Sequence, residues 1–145
     1  MFLALKILMT GLGGAAVLIA TSIMLFGAGA TAQVGFVLFD SVASSRVLWS
    51  PDADSELRFY AAFWMAFGVL AIRAARDPYA PGSATPWLAL VFFLGGCGRL
   101  LSLILVGAPH PFFTALMALE LALPPLLYVL WQAGLRQSPS PADRP

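Results

Sequence analysis

The side chains of this chain that could do chemistry are few: Glu56, Arg58, Tyr60, Arg99, Ser102, His110 and Glu120. Arg99 lies inside one apolar segment, Pro86–Val106, and Glu120 inside the next, Pro111–Trp131; the turn Gly107-Ala108-Pro109-His110 joins them. At the helical rise of about 1.5 Å per residue, Arg99 falls about 12 Å before the turn and Glu120 about 13–14 Å after Pro111. Antiparallel helices joined so tightly put both groups at one depth. An ionisable side chain within a bilayer costs about 2.5–3.5 kcal/mol on insertion scales and turns to a partner or a wet cavity. The two are therefore expected to face each other. A guanidinium held beside a carboxylate could clamp an anionic group, while the carboxylate accepts a proton.

The remaining polar residues are expected around this pair. Glu56 and Tyr60 share a helix face at i,i+4, whereas Arg58 projects about 200° from Glu56 and can snorkel to the surface. Two acids and two arginines sum to zero charge, which a low-dielectric setting tolerates best. Gly95, Ser102 and Val106 share the face of Arg99 at i−4, i+3 and i+7, and Gly95, Gly96 and Gly98 leave room beside it. Pro124 and Pro125 each remove an amide that would bond the carbonyl four residues back, at Glu120 and Leu121. The result is either a kink with spare acceptors lining a cavity or one that fits the helix to its neighbours. His110 reads as a turn residue, or as an acid, base or ligand gate. Cys97 reads as a small packing residue.

The elements that must position these groups are membrane spans. The chain has 145 residues, of which 60% are hydrophobic and 10% charged, and a mean hydropathy of +0.87. A soluble domain carries about a quarter charged residues, so the composition is that of a membrane protein. A net charge of +1 provides no basic stripe, which argues against a nucleic-acid partner. One cysteine excludes an intrachain disulfide or a cysteine-based zinc site. One histidine excludes bis-histidine haem, and no cofactor is expected. There is no Ser-His-Asp set, no phosphate-cradling glycine loop and no pair of carboxylates on one helix face.

The spacing predicts an all-α integral membrane four-helix bundle with spans at about 3–27, 51–75, 86–106 and 111–133, forming one domain over 1–133. Residues 134–145 read as a disordered cytoplasmic tail rich in Pro and Ser. The first run is read as an uncleaved helix: it is longer than a signal-peptide h-region, although Ala30-Thr31-Ala32 has the small-x-small form of a cleavage site. Gly11, Gly14, Ala15 and Leu18 offer a strip for close packing along it. Residues Ala28 to Trp49 are too interrupted to span, and read as a short interfacial or re-entrant segment, or as a loop with aromatic anchors. Ser50-Pro51-Asp52 is a helix start. Lys6, Arg73, Arg76, Arg136 and Arg144 fall on one side, so both termini are expected in the cytoplasm. Seven arginines to one lysine, with heavy Ala and Leu usage, suit a GC-rich bacterial source and hence an inner membrane.

Through Glu56-Leu57-Arg58-Phe59-Tyr60, Gly95-Gly96-Cys97-Gly98-Arg99-Leu100-Leu101-Ser102, Gly107-Ala108-Pro109 and Glu120-Leu121, the chain resembles a bacterial family of small four-span membrane proteins catalogued as a domain of unknown function. The resemblance covers about Leu3 to Trp131. It implies a four-helix bundle and no activity. Ala61-Ala62 stand where the family often has glycines after the tyrosine. The layout also looks like quinone-linked accessory subunits and sterol-isomerase-like bundles, an analogy of fold that transfers no site.

Three readings of the polar constellation stay open: a salt-bridge network that fixes helix register, a pocket for a small molecule or lipid head group, or catalysis. The leading reading is a binding or accessory protein that holds a lipid or quinone ligand, or packs in a larger membrane complex or homo-oligomer. The alternative is a small membrane enzyme or carrier for a lipid-like or quinone-like substrate.

Overall fold

The computed structural model describes residues 2–37, 46–80 and 82–136. They form α1 (Phe2–Phe26), α2 (Ala28–Val37), a 3-10 turn (Arg46–Trp49), α3 (Pro51–Arg76), α4 (Thr85–Leu105) and α5 (Pro111–Leu135). All of these helices except α2 are long and apolar enough to cross a membrane. Residues 38–45, with Asp40, Ser44 and Ser45, and the tail 137–145 lie outside the described residues.

Local chemistry sets the helix ends. The Ser50 hydroxyl accepts the Ala53 amide at 3.3 Å, Pro51 occupies the first turn, and Asp52 and Asp54 sit at the positive end of the α3 dipole. Arg73 and Arg76 stand at its negative end. Gly27 takes φ +87°, a conformation costly for side chains with a Cβ, and so separates α1 from α2.

α1 packs along α3 and α4 along α5; further contacts of α1 with α5 and of α3 with α4 close the ring. At the α1–α3 crossing the backbones touch: a Cβ on Gly13 would lie 2.6 Å from the Gly68 carbonyl oxygen, and a Cβ on Gly68 as close to that of Gly13. The buried stripe of α1 is therefore Leu5, Met9, Gly13, Ala16 and Ala20. The strip expected from sequence is corrected here: Gly11 and Gly14 face open space and Leu18 is 73% exposed. The two strips differ by two residues, about 200° around the helix, and only the glycine opposite on α3 decides between them.

The core that unites all four helices occupies the end of the bundle away from α2, around Leu5, Met9, Ala71, Ala75, Leu88, Ala89 and Leu127. The loop between α3 and α4 seals that end. Trp131 donates its indole N–H to the Pro78 carbonyl at 2.8 Å, and the Thr85 hydroxyl reaches Met9 Sδ at 3.5 Å. The Tyr79 ring lies over Gly134, where a Cβ would come within 2.2 Å of it. Burial pushes the Tyr79 phenol above its ordinary value.

At the opposite end α2 lies across the bundle. Phe36, 3% exposed, inserts against His110 (ring centroids 4.2 Å apart), Phe112 and Phe113 of α5. The segment read as interfacial is thus in part a helical cover. Trp49 packs over Gly29, whose Cβ would strike the indole at 2.5 Å.

Candidate functional site

Arg99 and Glu120 meet. Arg99 donates from Nε to Glu120 Oε2 at 2.7 Å, tying α4 to α5. The local sequence makes this approach possible at Gly96, where a Cβ would lie 3.0 Å from the carbonyl carbon and the Cβ of Glu120. Gly95 and Gly98, expected to share that task, face open space. Arg99 continues the inward line of Thr85, Leu88, Phe92 and Gly96, at spacings of three and four residues.

The two partners differ in environment. The Glu120 side chain is 5% exposed and that of Arg99 36%. Carboxylates are almost never fully buried unless paired, so Glu120 depends on Arg99. The reverse dependence is weaker, because Arg99 also lies over the Phe113 ring, with Cζ 5.8 Å from its centroid. Among the described residues only Glu120 accepts a hydrogen bond from Arg99. The guanidinium is thus oriented through Nε, with its two terminal amino groups available.

The other expected site residues do not gather here. Arg58 belongs to a second cluster at the α2 end. Its Nε donates to Asp54 Oδ2 at 2.7 Å, and its Nη1 donates to the Met24 carbonyl. Asp54 Oδ1 in turn accepts the Ala28 amide at 3.1 Å, so one carboxylate caps α2 and holds Arg58. Glu56 and Tyr60 lie on the exposed face of α3, where Tyr60 packs edge-on against Phe59. Ser102 is exposed on α4. His110 caps α5: its Nδ1 accepts the Phe112 amide at 3.1 Å.

Residues the sequence reading passed over are Asp54, Phe36 and Phe113. The i,i+4 spacing of Asp54 and Arg58 was a readable signal. The aromatic contacts had none, since they depend on where α2 folds back.

Two clefts flank this framework, and neither has Arg99 or Glu120 in its walls. One, of about 540 Å³, runs between α4 and α5 toward the sealed end, past Trp87, Phe93, Pro124, Pro125, Tyr128 and Trp131. The other, of about 200 Å³, lies among Phe26, Gly27, Trp49, Asp54 and Arg58.

Among the described residues, four membrane-length helices close a ring and an ion pair with a buried carboxylate ties the last two, which defines a multi-pass helical membrane protein. The chain belongs to the family described as Domain of unknown function (DUF4345), whose family model matches residues 4–131. No curated protein and no solved structure matches the chain.

Proposed function

We propose that this is a membrane-embedded binding protein for an amphipathic lipid whose acidic head group pairs with Arg99. The observation that carries this reading is the asymmetry of the pair: Glu120 is sealed and fixes Nε, while over a third of the Arg99 side chain stays open. A cation already oriented by a buried acceptor loses little freedom on meeting an anion, and a bidentate contact with a phosphate or carboxylate suits its planar fork. In this reading both termini are cytoplasmic and the pair lies in the outer half of a bacterial inner membrane, as the distribution of Lys6, Arg73, Arg76 and Arg136 supports.

Native mass spectrometry of the gently purified protein tests it. Wild type is expected to retain an acidic lipid that Arg99→Gln loses. A spectrum free of ligand, or equal retention by the variant, overturns the reading and leaves the pair a tie between helices.

A further inference from the structure

We infer that the pocket at the joint between α1 and α2 binds the head group of a lipid that carries a phosphate and a primary ammonium, the phosphate on Arg58 and the ammonium on Asp54. The pocket holds about 200 Å³ and shares no wall residue with the Arg99 pair. Its charged groups are fixed by a break in the backbone. In an unbroken helix the Ala28 amide would bond the Met24 carbonyl. Gly27, at φ +87°, parts the two. The released amide goes to Asp54 Oδ1 at 3.1 Å, and the released carbonyl accepts from Arg58 Nη1. Asp54 and Arg58 also bond each other, at 2.7 Å. Both side chains are thereby held by backbone atoms from outside α3, an anchorage that an i,i+4 pair on one helix does not have by itself.

Both charges keep unused capacity. Arg58 donates from Nε and Nη1, and among the described residues nothing accepts from Nη2. Each oxygen of a carboxylate can accept twice, and each oxygen of Asp54 accepts once. The Arg58 and Asp54 side chains are 39% and 30% exposed, and both line the pocket. Gly27 keeps the way to them open: a Cβ there would lie 2.6 Å from Asp54 Oδ1 and 3.1 Å from Arg58 Nη2.

These walls select the occupant. A cation and a carboxylate in contact cancel, so a simple anion or a simple cation is attracted by one and repelled by the other. A molecule with both signs gains from each. Its ammonium must carry N–H groups to use the spare lone pairs of Asp54, and a quaternary ammonium has none. An ethanolamine spacer sets phosphate and ammonium close enough for two protein groups that touch. The volume is below the about 300–1,000 Å³ of sites that enclose a whole drug-sized ligand, so the pocket takes a head group and leaves the chains in the bilayer. Depth agrees with this. α3 has 26 residues and is about 39 Å long, about 9 Å more than the hydrocarbon layer, so its first turns reach the head-group layer. Phe26 and Trp49 form apolar wall there.

The test is native mass spectrometry of the full chain in detergent micelles, with phosphatidylethanolamine and phosphatidylcholine of identical chains at equal concentration. Wild type is expected to retain the ethanolamine lipid about 10-fold more than the choline lipid, the ratio one hydrogen bond to a charged group provides. The N-methyl and N,N-dimethyl lipids should fall in order between them, a series that needs no variant. Asp54→Asn keeps an acceptor for the Ala28 amide and is expected to bring the ratio close to one. Arg99→Gln is expected to leave it unchanged, which separates this site from the acidic-lipid site. Glycerophosphoethanolamine, the same head group without chains, is expected not to displace the lipid at equal concentration; displacement would overturn the assignment to a lipid. Equal retention in wild type, a ratio that persists in Asp54→Asn, or one lost in Arg99→Gln overturns the inference.

Discussion

Replacing Arg99 by leucine exposes the energetic asymmetry of the ion pair. Glu120, only 5% exposed, would lose its one described hydrogen-bond partner while staying enclosed between α4 and α5. Removing one member of a buried pair costs about 3–5 kcal/mol, because the other charge is left uncompensated. The mirror change, Glu120→Leu, strands a guanidinium that is 36% exposed and lies over Phe113. That cation can reorient toward solvent or head groups, so its loss is smaller, about 1–2 kcal/mol. The double change to leucine removes both charges. Apolar replacement of a buried pair is near neutral or stabilising, and the double variant is expected within about 1 kcal/mol of wild type, more stable than Arg99→Leu alone. With the double variant near neutral, a coupling on the order of 4–7 kcal/mol follows. Equilibrium unfolding in mixed micelles over a range of sodium dodecyl sulfate, read by far-ultraviolet dichroism, provides the four free energies. Losses that add to within about 0.5 kcal/mol would mean that the 2.7 Å contact carries no mutual stabilisation.

Three further outcomes are expected. Gly13→Ala forces a methyl to 2.6 Å from the Gly68 carbonyl and should destabilise by about 1–3 kcal/mol, whereas Gly14→Ala, facing open space, should be neutral or gain up to about 1 kcal/mol; the same unfolding assay reads both. Asp54→Ala removes the cap of α2 and the partner of Arg58, so amide exchange should quicken over 28–37 by a factor of about 5–10 and stay unchanged in α5 beyond Pro124. The Tyr79 phenol, raised by burial above 10.0, favours its neutral form when folded. Its contribution is complete below pH 10 and lost as pH rises beyond; Tyr79→Phe should flatten that alkaline decline, and an identical decline in the variant would refute the burial.

The membrane-length spans could be read directly because hydropathy is a sum over about 20 neighbours and needs no tertiary partner. Helix starts were legible for the same local reason, as at Ser50-Pro51. The matched depth of Arg99 and Glu120 followed from a four-residue turn and a fixed rise. What failed was rotation about a helix axis: Gly11 and Gly14 were taken for Gly13, Gly95 and Gly98 were counted beside Gly96 although Gly96 alone of the three makes the contact, and the polar constellation splits when Arg58 turns to Asp54. Small residues recur on more than one face of an apolar helix, and only the opposing backbone selects among them.

The sequence by itself determined four long apolar helices, the order in which they follow, and one acid and one base at a common level. Tertiary structure decided which glycine touches which backbone, that Glu120 is enclosed while Arg99 stays partly open, and that Phe36 of α2 closes over His110 and Phe113. The division has one physical cause: span length and depth are set along the chain, whereas facing and burial exist only between segments distant in sequence.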